Sequence, residues 1–541
     1  MPSDMQKPSN NTLLTVCLAV IFIVLISVTI VIRIRMLAMP LERDEGEYAY
    51  AGQLMLEGVP PYSLAYNMKM PGIYAAYALI LAIFGQTQSG IHFAILLVNT
   101  ATVILLFFIT KKLFGAIAGV AASVFFAITS ISCSVRATAN AENFVIIFAL
   151  AAILILIKFE ESKKLLYLII AGLLFGIAFM MKQHGIGFIL FGYLFFIWNQ
   201  VRQKPFNYKN IVRLTVIYSF SVILPFLMAC LILWRCGVFE KFWFWTFNYA
   251  HKYICIAPVA MGIQLLRDSL TEIISSAPVI WLLALLGLLS CVWNTKIRRY
   301  GIFLFGLLIC SFIAISPGLY FRQHYFVLFL PVVVILAGAG IISIQDMLDK
   351  FIKSGIKTAF VSMLIFLTVW LYSFYNQKTY LLETNPVEMS RAAFGFNPFP
   401  EAIEIAKFIK SNSDGNDTIA VLGSEPEICF YSHRRSATSY IYFYPLMEPQ
   451  SYAADMQREV IKQIQTNKPR FVVFVKCFES WLISSSSEKL LLQWLEPYIS
   501  SHYRQVGLVD MFPSGEILYH CGNSAVLPQA GMFILIGERI D

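Results

Sequence analysis

Apolar runs of about 17–25 residues recur along the first 376 positions, the length of helix that crosses a ~30 Å hydrocarbon layer. They fall at 13–32, 90–110, 114–132, 142–158, 165–181, 185–200, 211–233, 277–293, 300–316, 325–344 and 357–376, eleven predicted spans. The segment Ile73–Phe84 is apolar too, but its twelve residues between Gly72 and Gly85 are short for a crossing. They predict a helix lying at the interface or re-entering the bilayer. Beyond Phe374 the pattern changes to mixed polarity. Pro400–Ser411 has helical apolar spacing, Thr418–Leu422 and Arg470–Val475 read as buried strands, and Tyr452–Gln465 supplies a helix between them. The fold class is therefore a polytopic α-helical membrane protein with a C-terminal α/β domain. The predicted division is 1–376 for the membrane module, with loop 33–89 carrying interfacial helices, and 377–541 for the second domain.

Composition agrees, with 58% hydrophobic and 13% charged residues in 541, well beyond the apolar content of a soluble domain. The formal charge of +9 does not point to nucleic acid, because most basic residues flank spans, where they set orientation. With eleven spans and a cytoplasmic N-terminus, fifteen Lys and Arg residues fall in five short inner connections, from Lys111 to Lys357. If Ile73–Phe84 crossed, all of these would face outward. Only Arg33 and Arg35, at the outer end of the first span, run against the pattern. An odd number of spans places the α/β domain outside the cytoplasm. The run at 13–32 is too long for a secretory signal and is read as retained. The ten cysteines show no CxxC spacing and read mainly as small packing residues, with Cys236 and Cys255 able to meet in an outer loop.

This topology sorts the rare polar residues onto one side. The first outer loop places Glu42, Asp44, Glu45 and Glu47 within six residues and continues to Lys69. The second carries Arg136, Asn140, Glu142 and Asn143; the fifth span ends in Lys182-Gln183-His184; Tyr320–Tyr325 precedes the tenth. Taken singly, each has a bland alternative: a solvated acidic loop, an Arg136–Glu142 ion pair, a snorkelling Lys182, a satisfied His324, an aromatic interface belt over Phe239–Tyr253. With the loop from Trp234 to Ser276, which carries Lys241, His251 and Lys252, five loops deliver ionisable groups to one face, which is harder to account for that way. A transporter would place such groups near mid-span, at broken helices, where this chain is apolar. Carboxylates opposed by Lys and Arg suit glycosyl transfer from a lipid phosphate. A carboxylate takes the acceptor's proton, and cations hold the charge growing on the departing phosphate.

Asp44-Glu45-Gly46-Glu47-Tyr48, Gly58-Val59-Pro60-Pro61-Tyr62 and Lys69-Met70-Pro71-Gly72 resemble the first outer loop of the C-type (GT-C) integral-membrane glycosyltransferases. The likeness is to the dolichyl-phosphate-mannose protein mannosyltransferase and lipid A aminoarabinose transferase group. Ala139–Asn143, Lys182–His184 and Arg322–Tyr325 resemble the superfamily's other outer-face motifs, so the likeness covers roughly residues 10–345. It implies a polyprenyl-phosphate-linked sugar as donor, an inverting transfer, and Asp44 as catalytic base with Glu45 beside it. Tyr48, Lys69, Arg136, Glu142, Lys182, His184, Arg322, His324 and Tyr325 become candidate contacts to the donor's phosphate or sugar. Lys69 takes the place of the lysine in a KPP-like motif, which here reads KMPG and is preceded by Met68. The oligosaccharyltransferase signature WWDYG is absent. A divalent metal is neither required nor indicated by ligand spacing. The expected setting is the outer leaflet of a bacterial inner membrane, with a glycan, lipid or protein acceptor and no nucleic-acid partner. A flippase for lipid-linked sugars, or a silent scaffold presenting the α/β domain, are the competing readings.

Overall fold

The computed structural model describes residues 10–136, 138–522 and 526–540. The polar start of the chain, positions 1–9, lies outside the described residues. Each of the eleven predicted spans falls on a helix. Seven of the described helices are long and apolar enough to cross a membrane: Thr12–Ala38, Gln88–Phe114, Ala141–Ser162, Gln183–Val201, Tyr208–Arg235, Leu330–Ile352 and Gly355–Asn376. The other four, Ala116–Thr129, Leu165–Met181, Pro278–Leu289 and Gly301–Ile315, are shorter apolar helices. The short apolar segment at 73–84 forms the helix Pro71–Phe84, with Pro71 in its first turn and Gly85 at its C-terminus with φ 86°. A helix of fourteen residues is about 21 Å long.

The chain divides into two compact units, each interrupted in sequence. The first comprises Met1–Leu37, Phe93–Met228 and Ala257–Thr384. Its helices approach through small residues, as expected where lipid supplies no hydrophobic drive between helices. Gly287 and Gly340 leave no room for a side chain against the backbones of Leu336 and Leu283, which locks Pro278–Leu289 onto Leu330–Ile352. Gly172 faces Ser221 and Gly176 faces Pro225 in the same manner. The two arginines that ran against the charge pattern are accounted for here. Arg33 donates to the Ser130 hydroxyl at 3.1 Å, and Arg35 to the Leu381 carbonyl at 2.8 Å.

The second unit comprises Ala38–His92, Ala229–Ile256 and Asn385–Asp541. Its sheet is formed by β1 (Thr418–Leu422), β2 (Arg435–Ser436), β3 (Phe471–Lys476), β4 (Tyr503–Met511), β5 (Ile517–Cys521) and β6 (Met532–Arg539), in the order β2-β1-β3-β6-β4-β5. β1 runs parallel to β2 and β3, and the β6, β4 and β5 side is antiparallel. The near-continuous apolar runs of β1 and β3 match strands covered on both faces. Helices Phe399–Ser411 and Ala453–Asn467 fall where the apolar spacing predicts them. The aromatic segment read as an interface belt contributes to a core instead: Trp245 and Tyr249 are buried with Tyr66, Tyr440 and Phe443. Cys236 and Cys255 are both exposed free thiols.

The acidic loop folds as the helix Arg43–Leu56, and two glycines let it pack closely. A Cβ on Gly52 would lie 2.9 Å from the Ala78 nitrogen, and one on Gly46 would lie 2.7 Å from the Glu427 Cβ. Gly46 therefore sits between the acidic residues because the helix Glu427–Ser432 crosses at that point. Gly46→Ala is expected to destabilise the protein by about 1–3 kcal/mol through overpacking, read as a lowered midpoint in thermal melts of the purified protein in detergent.

Candidate active site

Asp44 is the second residue of the helix Arg43–Leu56, and its side chain is 21% exposed. The Lys69 ammonium lies 2.9 Å from Oδ2, and the Tyr48 hydroxyl reaches the same oxygen at 3.5 Å. The Tyr442 hydroxyl lies 3.0 Å from Oδ1 and 2.9 Å from the Arg43 carbonyl. Lys69 also sits over the Tyr48 ring, 5.4 Å from its centroid. Its own backbone carbonyl accepts from Tyr62 at 2.7 Å. The carboxylate is thus held by one cation and two phenols while retaining an open side.

The neighbouring acids have different duties. Glu42 and Glu45 form a reciprocal capping box at the start of the helix, each side chain accepting from the other's backbone N–H. Glu45 is fully buried, and its second oxygen lies 3.1 Å from His92 Nε2. Glu47, also buried, accepts from the Tyr74 hydroxyl at 2.6 Å. Arg43 turns to the strand end after β1, where Nε donates to the Ser424 carbonyl at 2.6 Å and Nη2 meets Glu425 at 3.0 Å. Ser424 and Glu425, both buried, thus form the socket for Arg43. Tyr442 was not legible as a site residue. It lies 398 positions from Asp44, and its only local signal is the aromatic run Tyr440–Tyr444.

Burial raises the proton affinity of these acids. Glu42 is held well above the usual carboxylate range by burial and by the charges of Asp44 and Glu45. Glu47 is raised to about 7, mainly by burial and further by Asp44, against the opposing Lys69 ammonium and Tyr74 hydroxyl. A carboxyl with a raised folded-state pKa stabilises the fold fully below its unfolded value of 4.5, and that contribution is lost as pH rises through about 7. Melting temperature should therefore fall between about pH 4.5 and 7, where the unfolded chain has already lost the proton that the folded carboxyl keeps, and Glu47→Gln should flatten the fall when both proteins are melted across that range.

A second polar cluster lies within the first unit. Glu142 is in the first turn of Ala141–Ser162 and is fully buried. Its Oε1 pairs with the buried Lys182 ammonium, and His324 Nε2 lies 3.8 Å away. Glu142 Oε2 is buried without a hydrogen-bond partner among the described residues. Tyr325 stands at the centre of the cluster. Lys182 lies 4.4 Å from its ring centroid, and the His184 and His324 rings meet it edge-on at 4.6 and 4.8 Å. Lys182 is extended (φ −161°) where Leu165–Met181 ends, so the helix terminus carries the ammonium to Glu142. Arg136 has a left-handed backbone (φ 48°), and its Nε is buried without a partner among the described residues. Arg322 stacks on Tyr320 at 5.7 Å. The structure thus joins Asp44, Tyr48 and Lys69 in one cluster, and Glu142, Lys182, His184, His324 and Tyr325 in another. Among the described residues no three His, Cys, Asp or Glu side chains gather as metal ligands.

Helical spans, an acidic loop helix and a C-terminal sheet domain define a multi-pass membrane protein with the GT-C glycosyltransferase fold. Residues 68–229 match the family model described as dolichyl-phosphate-mannose-protein mannosyltransferase. Two solved proteins share the fold. The archaeal oligosaccharyltransferase AglB from Archaeoglobus fulgidus, in complex with an inhibitory peptide and a dolichol-phosphate, has a TM-score of 0.55 at 11% identity, over 94% of this chain and 75% of AglB. ArnT from Cupriavidus metallidurans bound to undecaprenyl phosphate has a TM-score of 0.55 at 13% identity, over 84% of this chain and 93% of ArnT. Its apo state gives 0.52 at 15% identity, over 84% and 92%. No curated protein matches the chain in sequence.

Proposed function

We propose that this protein is an inverting glycosyltransferase that moves a sugar from a polyprenyl-phosphate donor to an acceptor hydroxyl at the outer leaflet of a bacterial cytoplasmic membrane. The observation that carries the reading is the Asp44–Lys69 pair, a partly exposed carboxylate bonded directly to an ammonium at 2.9 Å. The acceptor hydroxyl gives its proton to Asp44 as its oxygen attacks the anomeric carbon from the face opposite the phosphate. The bond to the phosphate oxygen breaks, and the departing lipid phosphate takes that electron pair. Protonation of Asp44 ends its charge pairing with Lys69, so the ammonium becomes free to neutralise the phosphate at the moment charge develops there. Tyr442 and Tyr48 hold the two carboxylate oxygens in place meanwhile.

The cation–aromatic cluster of Lys182, His184, His324 and Tyr325 is a further candidate for donor phosphate or sugar contacts, as are Arg136 and Arg322. Glu45 supports the site by fixing the start of its helix. The acceptor class, whether glycan, lipid or protein, is left to experiment. Incubating the purified protein with radiolabelled polyprenyl-phosphate sugar and a candidate acceptor extract tests the reading. A transferase consumes the donor and transfers the label. A flippase leaves the donor intact and moves it across the bilayer of a vesicle, and that outcome would overturn the proposal.

A further inference from the structure

A groove of about 520 Å³ lies between the packed helices Ile186–Val201 and Gly301–Ile315 of the first unit. Its walls are Phe191, Leu194, Phe195, Trp198, Ile302 and Phe305, and Arg298 stands at one end. Two glycines, Gly301 and Gly306, keep it open. A Cβ on Gly301 would meet nothing within 4 Å, and one on Gly306 would meet only the Phe191 ring, at 3.6 Å. Neither glycine has a positive φ, so the backbone does not require glycine at either position. What their missing side chains provide is space.

We propose that this groove binds one anionic phospholipid, with acyl chain on the aromatic walls and phosphate at the arginines. Arg298 lines the groove, and Arg202 and Arg299 adjoin it through Trp198 and through Tyr300, the residue before Gly301. None of the three has an ion pair among the described residues, whereas nearby Lys296 is paired with Asp346 at 2.7 Å. Arg298 is anchored at the mouth by donating to the Cys291 carbonyl at 3.0 Å and to that of Val292. Arg202 lies over the Trp198 ring at 5.3 Å, tying a second cation to a groove wall. Arg299 stacks on Tyr300 at 4.8 Å. Trp198 and Trp293 are half-exposed, the disposition of tryptophans at the headgroup level. The fifteen inner-connection basic residues include all three arginines, which assigns the groove to the cytoplasmic leaflet, where anionic phospholipids concentrate and basic pockets between helices take their headgroups. Free phosphate has no use for aromatic walls, and a zwitterionic headgroup leaves the arginines uncompensated. The inference is independent of the proposed transfer reaction.

Native mass spectrometry of the full-length protein, titrated with phosphatidylglycerol or phosphatidylcholine in detergent, reads the site directly. One phosphatidylglycerol should remain bound per chain, in clear preference to phosphatidylcholine. The double variant Arg202→Gln/Arg298→Gln should weaken its retention by about 30-fold. Gly306→Leu, which fills the groove without altering charge, should lower retention of both lipids, while circular dichroism confirms that both variants stay helical. Equal retention of the two phospholipids overturns the proposal. So does retention that neither variant changes, displacement by inorganic phosphate alone, or displacement of phosphatidylglycerol by an equimolar polyprenyl phosphate.

Discussion

Asp44→Asn should lower the rate of sugar transfer by about 10²–10⁴-fold, the usual contribution of a positioned general base, with little change in melting temperature. Asparagine preserves the volume and still accepts from Tyr442 at Oδ1, where the hydroxyl now lies at 3.0 Å. What it loses is the charge that pairs with Lys69 and the capacity to take a proton. The ion pair it removes is partly exposed, at 12% and 21% for the two side chains, so water reaches the site and the cost in stability should stay below that of breaking a fully buried pair. A large loss of rate with an unchanged melt therefore isolates chemistry from folding. Lys69→Met supplies the complementary measurement. If the ammonium acts on the departing phosphate, kcat falls more than KM rises, because the interaction is realised in the transition state. Undiminished transfer by Asp44→Asn in purified membranes would remove Asp44 as the base.

The fold was legible in the sequence because lipid imposes a simple rule: every crossing must be an apolar helix of sufficient length. The eleven apolar runs all became helices for this reason, and the short Ile73–Phe84 run stayed a fourteen-residue helix. The strands at Thr418–Leu422 and Phe471–Lys476 were legible for a related reason, since a doubly covered strand must be apolar throughout. The assignment of roles within the acidic loop was not legible. Glu42, Asp44, Glu45 and Glu47 look equivalent in the sequence, yet only Asp44 combines an ion pair with exposure. The helix is covered on several sides, every residue from Glu45 to Leu54 being buried, so Glu45 and Glu47 are taken up on different faces, one by the capping box and His92, the other by Tyr74. Tyr442 and the socket for Arg43 escaped because their partners are separated by nearly four hundred residues. Such contacts carry no local periodicity. Gly46 escaped because a glycine required by a crossing helix looks like any other helix-weakening residue until its neighbour is known.

Lys182 and Glu142 should behave as a single unit in a double-mutant cycle. Both side chains are almost wholly buried, at 7% and 1% exposure, so neither charge can turn to water when its partner is removed. Lys182→Met alone leaves the Glu142 carboxylate facing Tyr325 and His324 without its cation. Glu142→Gln alone leaves a buried ammonium over the Tyr325 ring, which lies 4.4 Å away. Each single change is expected to cost about 3–5 kcal/mol, the penalty for an uncompensated buried charge. The double variant should recover most of that loss, which makes the coupling energy at least as large as one single penalty, about 3–5 kcal/mol, at or above the top of the range usual for neighbouring residues. Activity should not recover with it. If Lys182 meets the donor phosphate, the refolded double variant remains poor at binding a polyprenyl-phosphate sugar although its melting temperature approaches that of the parent. Recovery of both stability and donor binding would assign the pair to architecture alone. Recovery of neither would show that Glu142, through its unpartnered Oε2, has obligations beyond its lysine.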